Sequence, residues 1–177
     1  FRYDANVETA QPAVLVAGTT WRASERLTLG LQLDRVFWKD AFEVLPIRLT
    51  GGSNVELNDF LGADFILDTA PLNWNDQDSV HVGGKYRLRA GGILRLGYEH
   101  SEAPVPARTF TPMTGAILDE AYSIGLRFTL NRRDYDIAYR FSRGDDIRVL
   151  DSALVGGEYD NTSQSLALHS LSLSFRF

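Results

Sequence analysis

The sequence predicts an all-β protein, an antiparallel transmembrane β-barrel with about seven to eight strands in this chain, and three features carry this prediction. Apolar and polar residues alternate with a period of two through most of the chain, as they do in a strand with two different faces. The last strand is amphipathic and ends in an aromatic residue, and short connections alternate with long ones. These features are typical of a wall of strands with lipid on one side and a polar interior on the other.

Seven segments carry the alternation. Their positions are 12–22, 27–34, 80–89, 94–99, 122–130, 135–142 and 166–177. Residues 27–50 are expected to form one long strand that is kinked near Trp38 and Pro46, because proline cannot donate a hydrogen bond to a strand ladder. Residues 1–7 are expected to be the end of an eighth strand.

The two sides of these segments differ in chemistry. The polar side carries Arg, Lys, Asp and Glu together with Gly and Ser, while the apolar side is rich in Leu, with Tyr and Phe near the strand ends. A soluble β-sandwich is the alternative fold, since one face of each of its sheets also meets water. The recurrence of charge on the polar side and of aromatic residues at the strand ends favours the barrel.

The last strand shows the pattern most clearly. Its apolar side consists of Leu171, Leu173, Phe175 and Phe177, and its polar side consists of Ser170, Ser172, Ser174 and Arg176. A closing strand that ends in Phe predicts contact with outer-membrane lipid and, through Phe177, with the barrel-assembly machinery.

Connection lengths predict which end of each strand lies outside. The short connections are 23–26, 90–92 and 131–134, and the long ones are 51–76, 101–120 and 143–164. Outer-membrane barrels have short periplasmic turns and long outer loops. If the last strand ends in the periplasm, counting back places every short connection there and every long one outside. The sequence therefore predicts a single barrel segment over residues 1–177.

Composition excludes several other classes. No stretch approaches the roughly 18–20 consecutive apolar residues that a membrane helix needs. The net charge is -5 and no basic run stands out, which argues against a nucleic-acid partner. Cysteine is absent, so the chain has neither a disulfide framework nor thiolate chemistry.

An ordered series of motifs runs through almost the whole chain. It comprises Phe37-Trp38-Lys39-Asp40-Ala41-Phe42, Trp74-Asn75-Asp76, the strand from Val80 to Tyr86, the segment from Leu94 to Pro106, Asp119, Ser123-Ile124-Gly125 and Phe177. In order and spacing, this series resembles the FadL/TodX family of outer-membrane transporters for long-chain fatty acids and other hydrophobic compounds. The chain departs from the family pattern in the spacing of Trp38 and Phe42 and at Glu102-Ala103.

The resemblance implies a transporter in the bacterial outer membrane. Family members are barrels of about 14 strands with an amino-terminal plug, and the matching motifs belong to the carboxy-terminal half. We therefore expect a fragment, or one part of a barrel whose amino-terminal half is a partner. The implied function is passive uptake of hydrophobic compounds such as long-chain fatty acids or aromatic hydrocarbons. The alternative is a small structural or adhesive barrel that binds a partner through its outer loops.

Two groups of residues are candidate sites for a hydrophobic small-molecule ligand. The first group consists of bases that parity places on the polar side of the strands, namely Lys85, Arg87, Arg95, Arg127 and Arg140. They are expected either to form a ladder of paired charges that holds strand register, or to bind the carboxylate of a ligand, which Arg matches with two hydrogen bonds. The second group consists of apolar loop residues, namely Phe65, Val105, Phe110 and Met113. They are expected either to offer a hydrophobic landing surface or to pack the loops together.

No catalytic constellation is present in the sequence, so we expect no enzyme activity, no cofactor and no metal. The three histidines, His81, His100 and His169, lie on different strands without ligand spacing. Arg143-Gly144-Asp145 resembles an adhesion tripeptide, and its chance occurrence is the simpler interpretation. The acidic residues of loop 143–164 are interpreted as a solvated loop rather than as a divalent-ion site.

Overall fold

The computed structural model describes residues 2–112, 117–154, 157 and 159–176. In these residues the elements follow one another as β1 (Asp4–Val7), β2 (Val14–Arg22), β3 (Leu27–Val36), α1 (Trp38–Ala41), β4 (Val44–Thr50), α2 (Val55–Leu61), β5 (Ile66–Pro71), β6 (Gln77–Arg87), β7 (Ile93–Ser101), a 3-10 turn (Ala107–Thr109), β8 (Glu120–Leu130), β9 (Arg133–Arg143), β10 (Ile147–Val149), β11 (Thr162–Gln164) and β12 (Ala167–Arg176). None of the described helices is long and apolar enough to cross a membrane.

Seven strands form one antiparallel sheet, which we call the main sheet. Their order across it is β12-β9-β8-β7-β6-β3-β2. Every neighbouring pair is antiparallel, and residues directly opposite one another lie on the same face of the sheet. The prediction of an all-β antiparallel fold is confirmed.

Three short turns lie at one end of the main sheet, which we call the turn end, and the long connections lie at the other, the loop end. The β8–β9 turn consists of Asn131 and Arg132 alone, with φ of 51° and 63°. Positive φ at both central residues is the geometry of a two-residue hairpin turn whose twist matches the strands. In the β2–β3 turn the Ser24 hydroxyl accepts from the backbone N–H groups of Arg26 and Leu27.

The prediction of one long strand over 27–50 is wrong. The ladder of β3 ends at Val36, and α1 then redirects the chain, so β4 lies in a separate three-stranded sheet with the order β1-β4-β5. The side chains that redirect the chain are aromatic, because Trp38 packs on Phe42 and Trp74 instead of continuing a strand. The eighth-strand interpretation of residues 1–7 is also wrong, since β1 pairs with β4 and not with the main sheet.

The long connections contain regular structure of their own. Loop 51–76 includes α2 and β5, loop 101–120 includes the 3-10 turn, and loop 143–164 includes the hairpin of β10 and β11. The α2 helix begins after Asn54, whose side chain accepts from the Leu57 N–H, and ends at Gly62 with φ of 67°. An Asn cap and a left-handed glycine are common helix boundaries.

The buried apolar residues gather in the loops rather than against the main sheet. We call this group the loop core, and it consists of Leu72, Trp74, Val105, Phe110, Ile117 and Val149. Thr109 lies within it and donates from its hydroxyl to the Leu72 carbonyl at 2.5 Å. The loops are therefore packed against one another, and the buried residues of the main sheet, namely Ser79, Ser101, Ala121 and Ser142, lie at its loop end.

Candidate functional site

The main sheet presents one face that is apolar and exposed, which we call the apolar face. On β12 it carries Leu171, Leu173 and Phe175, whose exposed fractions are 69, 67 and 63%. Opposite residues on the neighbouring strand are Tyr139, Ile137 and Tyr135 in the same order. A contiguous surface of large, exposed apolar side chains is unusual on a soluble monomer. It marks a face that contacts something other than water.

Aromatic pairs lie towards both ends of the apolar face. Near the loop end the rings of Tyr98 and Tyr122 are 5.1 Å apart, and near the turn end those of Phe128 and Tyr135 are 5.4 Å apart. Beyond the first pair, Glu120 accepts from both tyrosine hydroxyls and from Arg143. Aromatic residues at two levels with an apolar band between them match the girdles of a barrel that crosses a membrane.

The opposite face, which we call the polar face, has a floor of glycine in its middle. Gly30, Gly83 and Gly97 lie directly opposite one another on β3, β6 and β7. A groove of about 470 Å³ runs over this floor, and His81, Glu99 and Arg140 are among its polar lining residues. Because glycine has no side chain, the groove reaches down to the backbone at these three positions.

On the loop side of this floor, charged side chains form a continuous chain across the strands, which we call the charge chain. His81 Nε2 lies 2.9 Å from Asp34 Oδ2, and His81 Nδ1 lies 3.5 Å from Glu99 Oε2. Arg140 Nη2 donates to Glu99 Oε2 at 2.9 Å, and Gln32 donates to both carboxylate oxygens of Asp34. Acids and bases alternate along the charge chain.

On the turn side of the floor, Asp136 joins two bases. Arg127 donates to Asp136 Oδ2 from Nε at 2.9 Å and from Nη2 at 2.7 Å, and Arg95 donates to Oδ1. Arg95 on β7 reaches Asp136 on β9 across β8, where Gly125 lies, and a Cβ on Gly125 would be 3.3 Å from Arg95 Nε. The small residue on the strand between them is what allows this contact.

The five bases expected at the site therefore fall into two groups. Arg95, Arg127 and Arg140 are ion-paired across the strands, which is the arrangement of a charge ladder. Lys85 and Arg87 have no side-chain partner within the described part of the chain. Whether any of the five contacts a ligand stays a prediction.

Two further bases of the polar face did not follow from the sequence. Arg22 lies opposite Thr28, which lies opposite Lys85, and the Arg26 carbonyl accepts from the Arg87 N–H at 2.8 Å. Register therefore puts Arg22 on the same face as Lys85 with β3 between them, and the backbone hydrogen bond puts Arg26 next to Arg87. Their strand parity was the signal available in the sequence, because Arg22 alternates with Trp21.

The apolar loop residues are placed differently from one another. Val105 and Phe110 are inside the loop core, with exposed fractions of 4 and 3%. Phe65 is 41% exposed, and the Arg48 guanidinium lies over its ring at 5.7 Å. Met113 lies outside the described residues. Val105 and Phe110 thus pack the loops together in this structure, and a landing surface for ligand stays a prediction.

The apolar face has a groove of its own behind the glycine floor. It measures about 530 Å³ and surrounds Gly84, which lies between Leu29 and Leu96 on the neighbouring strands. Gly83 and Gly97 line this groove as well as the one on the polar face. The two grooves are therefore back to back, with one layer of backbone between them.

The adhesion-like tripeptide is held by contacts at both of its ends, and Arg143 and Asp145 are exposed. Arg143 ends β9 and its Nη2 lies 2.6 Å from Glu120 Oε2, while the Asp145 N–H donates to Asp119. A Cβ on Gly144 would overlap the Ile117 carbonyl. Among the residues that the structure describes, no group of three or more His, Cys, Asp or Glu side chains is placed to hold a metal ion.

A sheet with one exposed apolar face and one polar, grooved face is typical of part of the wall of a β-barrel. Comparison with solved structures agrees with this class. The structure is similar to the toluene transporter TbuX of Ralstonia pickettii, with a TM-score of 0.58 and 17% identity over 80% of this chain and 31% of that one. It is also similar to the deltaS2 mutant of TodX, a monoaromatic hydrocarbon channel, with a TM-score of 0.72 and 17% identity over 97% of this chain and 37% of that one.

These similarities establish the fold. The resemblance that the ordered motifs indicated is confirmed at this level, since the two proteins are hydrophobic-compound channels of the expected kind. This chain spans about a third of the length of either solved chain. No family model matches the sequence, and no curated protein matches it.

Proposed function

We propose that the chain is a section of an outer-membrane barrel that admits hydrophobic compounds passively, without catalysing a reaction. The observation that carries the proposal is the two-faced main sheet, with an exposed apolar face bordered by aromatic pairs and a polar face with a groove. Lipid covers the apolar face, and the polar face lines the lumen. The likeness to two hydrocarbon channels supports the same function class.

The edges of the main sheet indicate what else the barrel needs. Strands β2 and β12 each pair on one side only within the described residues. Because six antiparallel steps separate them, β2 and β12 run in the same direction, so they cannot pair with each other as antiparallel neighbours. A lipid-facing edge would leave backbone groups without hydrogen bonds. We therefore propose that further strands close the barrel, odd in number, with both of their edge strands running the opposite way.

Migration in a denaturing gel tests this closure. The chain refolded alone in detergent is expected to migrate alike with and without boiling, because an open sheet has unpaired edges. Addition of a polypeptide that supplies the proposed closing strands is expected to create a heat-sensitive band. A heat-sensitive band from the chain alone would overturn the proposal of an open section and would favour a small self-closing barrel.

Long-chain fatty acids and aromatic hydrocarbons are both proposed substrates. The groove on the polar face lies against Gly30, Gly83 and Gly97, where a flat or extended molecule can approach the backbone closely. The paired bases around it are neutralised, which suits an uncharged hydrocarbon. The unpaired Lys85 and Arg87 further towards the turn end suit the carboxylate of a fatty acid.

Two adjacent glycines offer a matched test of transport. Gly83 lies on the polar face and Gly84 on the apolar face. At either position the nearest atom to an added Cβ is at ordinary contact distance, 3.6 Å for Gly83 and 3.5 Å for Gly84. Gly83→Phe fills the lumen groove, whereas Gly84→Phe places the same ring towards lipid.

The assay is uptake of labelled toluene and of labelled oleate by cells that depend on the whole protein for entry. Gly83→Phe is expected to reduce the initial rate to that of cells without the protein, and Gly84→Phe to retain it. Equal amounts of both variants in the outer membrane are the control for folding. Wild-type uptake no faster than that of cells lacking the protein would reject the transport proposal.

A further inference from the structure

The polar face carries a group of bases near the turn end that nothing in the described chain neutralises. We call Arg22, Arg26, Lys85 and Arg87 the basic patch. None of these side chains has an ion pair, a hydrogen bond or a ring contact with another described residue. All four are exposed; register places Arg22, Lys85 and Arg87 on the face that carries the glycine floor, and Arg26 lies in the β2–β3 turn, where its carbonyl accepts from the Arg87 N–H.

Register brings these like charges close together. Thr28 separates Arg22 from Lys85 by one strand, and Lys85 lies directly opposite Arg95 on β7. Side chains directly opposite in an antiparallel pair have Cβ atoms about 4.5–5.5 Å apart, and like charges in that position repel each other. Asp136 on this face is already bonded by Arg127 and Arg95, and Glu25, which precedes Arg26 in the turn, forms no ion pair with the described bases.

The rest of the polar face is built differently. In the charge chain, Asp34 and Glu99 alternate with His81 and Arg140, so each base has an acid. The contrast divides the wall into a part near the loops, where acids and bases are paired, and a part near the turns, where the bases of the basic patch are unpaired. Repulsion of this kind is relieved when an anion binds among the bases.

We propose that the basic patch is a binding site for an oxyanion with two or more negative charges, with phosphate as its chemical class. Four cations exceed what a single carboxylate neutralises, whereas a phosphate dianion accepts hydrogen bonds from several of them. Arg gives two parallel hydrogen bonds to a phosphate, and Lys contributes a compact charge. The bases lie on the face opposite the exposed leucines, so this location rests on the proposed function, in which that face lines the lumen. The site shares Lys85 and Arg87 with the proposed fatty-acid route, whereas the proposed passage of uncharged hydrocarbons does not depend on it.

The lysine content of the chain makes the site directly observable. Its two lysines are Lys85 in the basic patch and Lys39 in the loops. Reductive methylation with 13C-formaldehyde keeps the positive charge and gives each lysine an NMR signal, which Lys85→Arg and Lys39→Arg variants assign. Inorganic phosphate is titrated into the whole protein in detergent at constant ionic strength, with chloride as the monovalent comparison.

The Lys85 signal is expected to shift saturably with phosphate, while the Lys39 signal stays in place and chloride has no saturable effect. The double variant Arg22→Gln/Arg87→Gln is expected to weaken the phosphate affinity read at Lys85 by about tenfold or more, since it removes two charge-assisted partners. Arg108→Gln, which removes a base that is paired with Asp151 in the loops, is expected to leave it unchanged.

Two results would overturn the site. One is a linear shift of both lysines with phosphate, which is the behaviour of an adventitious ion only. The other is an unchanged Lys85 response in the Arg22→Gln/Arg87→Gln variant with a normal spectrum. Where the site holds, short-chain phosphatidic acid and glycerol phosphate distinguish the source of the anion. Stronger binding of the former means a lipid headgroup, and equal binding means a free phosphate ester.

Discussion

Asp136 is the single acid that holds two bases on the turn side of the polar face, so Asp136→Asn tests whether the wall depends on paired charges. Arg127 donates two hydrogen bonds to one carboxylate oxygen, at 2.9 and 2.7 Å, and Arg95 donates to the other. An asparagine side chain keeps the shape but removes the negative charge and turns one acceptor into a donor. Arg95 and Arg127 would then face each other without an acid.

The expected loss of stability depends on how exposed the paired side chains are. A hydrogen bond to a charged group contributes about 1.5–3 kcal/mol to stability when buried, while an exposed ion pair contributes about 1 kcal/mol or less. The Asp136 side chain is 21% exposed, but Arg95 and Arg127 are 39 and 52% exposed, so solvent screens both pairs. We therefore expect Asp136→Asn to lower the free energy of unfolding by about 2 kcal/mol in total.

Equilibrium urea unfolding from lipid vesicles measures this change, with the m-value as the check that the extent of unfolding is unaltered. The control is Arg127→Gln, alone and combined with Asp136→Asn. The double variant is expected to lose less than the sum of the two singles by about 0.5–1 kcal/mol, because both remove the same contact. An Asp136→Asn midpoint equal to that of the wild type, or strict additivity, would refute the view that the acid stabilises this part of the wall.

Three further predictions concern the loops and the two faces. Thr109→Val keeps the side-chain shape but leaves the buried Leu72 carbonyl without its hydroxyl donor at 2.5 Å. The loops should become less stable by about 1–3 kcal/mol and should be cleaved faster by added protease. An unchanged cleavage rate would contradict a stabilising role for this hydrogen bond. Leu173→Arg on the apolar face should cost about 2–4 kcal/mol in vesicles, whereas Ser172→Arg on the polar face should cost little; equal effects would reject the assignment of faces. Gly144→Ala should disorder the loop end, because its Cβ meets backbone, while Gly84→Ala meets only the end of a leucine side chain and should be tolerated; hydrogen exchange of the loop amides separates the two.

The faces of the main sheet could be predicted from the sequence because they depend on a local pattern. Alternation in 135–142 and 166–177 assigns each residue to a face without knowledge of its partner, and β9 and β12 follow that assignment. The same holds for the β8–β9 turn, since Asn131 and Arg132 stand between two alternating segments. A one-residue slip would have exchanged the two faces completely, so a pattern this regular leaves little freedom.

The loops could not be predicted in the same way, because their structure depends on contacts between distant segments. Trp38, Phe42 and Trp74 form one aromatic group, yet no period links their positions in the sequence. The small sheet likewise pairs β4 with β1 and β5, and its central strand contains Pro46. The sequence predicted a kink at Pro46, but Pro46 fits within β4 because its carbonyl, not its nitrogen, bonds to Glu8.

Ion pairing on the polar face could be predicted from the sequence only in part. Parity placed Arg95 and Asp136 on the same face, but their pairing spans three strands and depends on register and on Gly125 between them. Sequence reasoning could therefore name the bases and acids of the wall without saying which were neutralised. The unpaired state of Lys85 and Arg87 emerged only from the fold.

The back-to-back grooves have an electrostatic consequence for the wall. Where Gly83 and Gly84 leave only backbone between the two faces, the proposed lipid is one backbone layer from the polar groove that His81 and Glu99 line. A medium of low permittivity strengthens the attraction between opposite charges and raises the cost of an unpaired one. Removal of one charged residue that lines this groove should therefore lower the stability of the protein more than removal of a charged residue where side chains separate the groove from the proposed lipid. The hydrocarbon outside then becomes part of the dielectric environment that the interior charges experience.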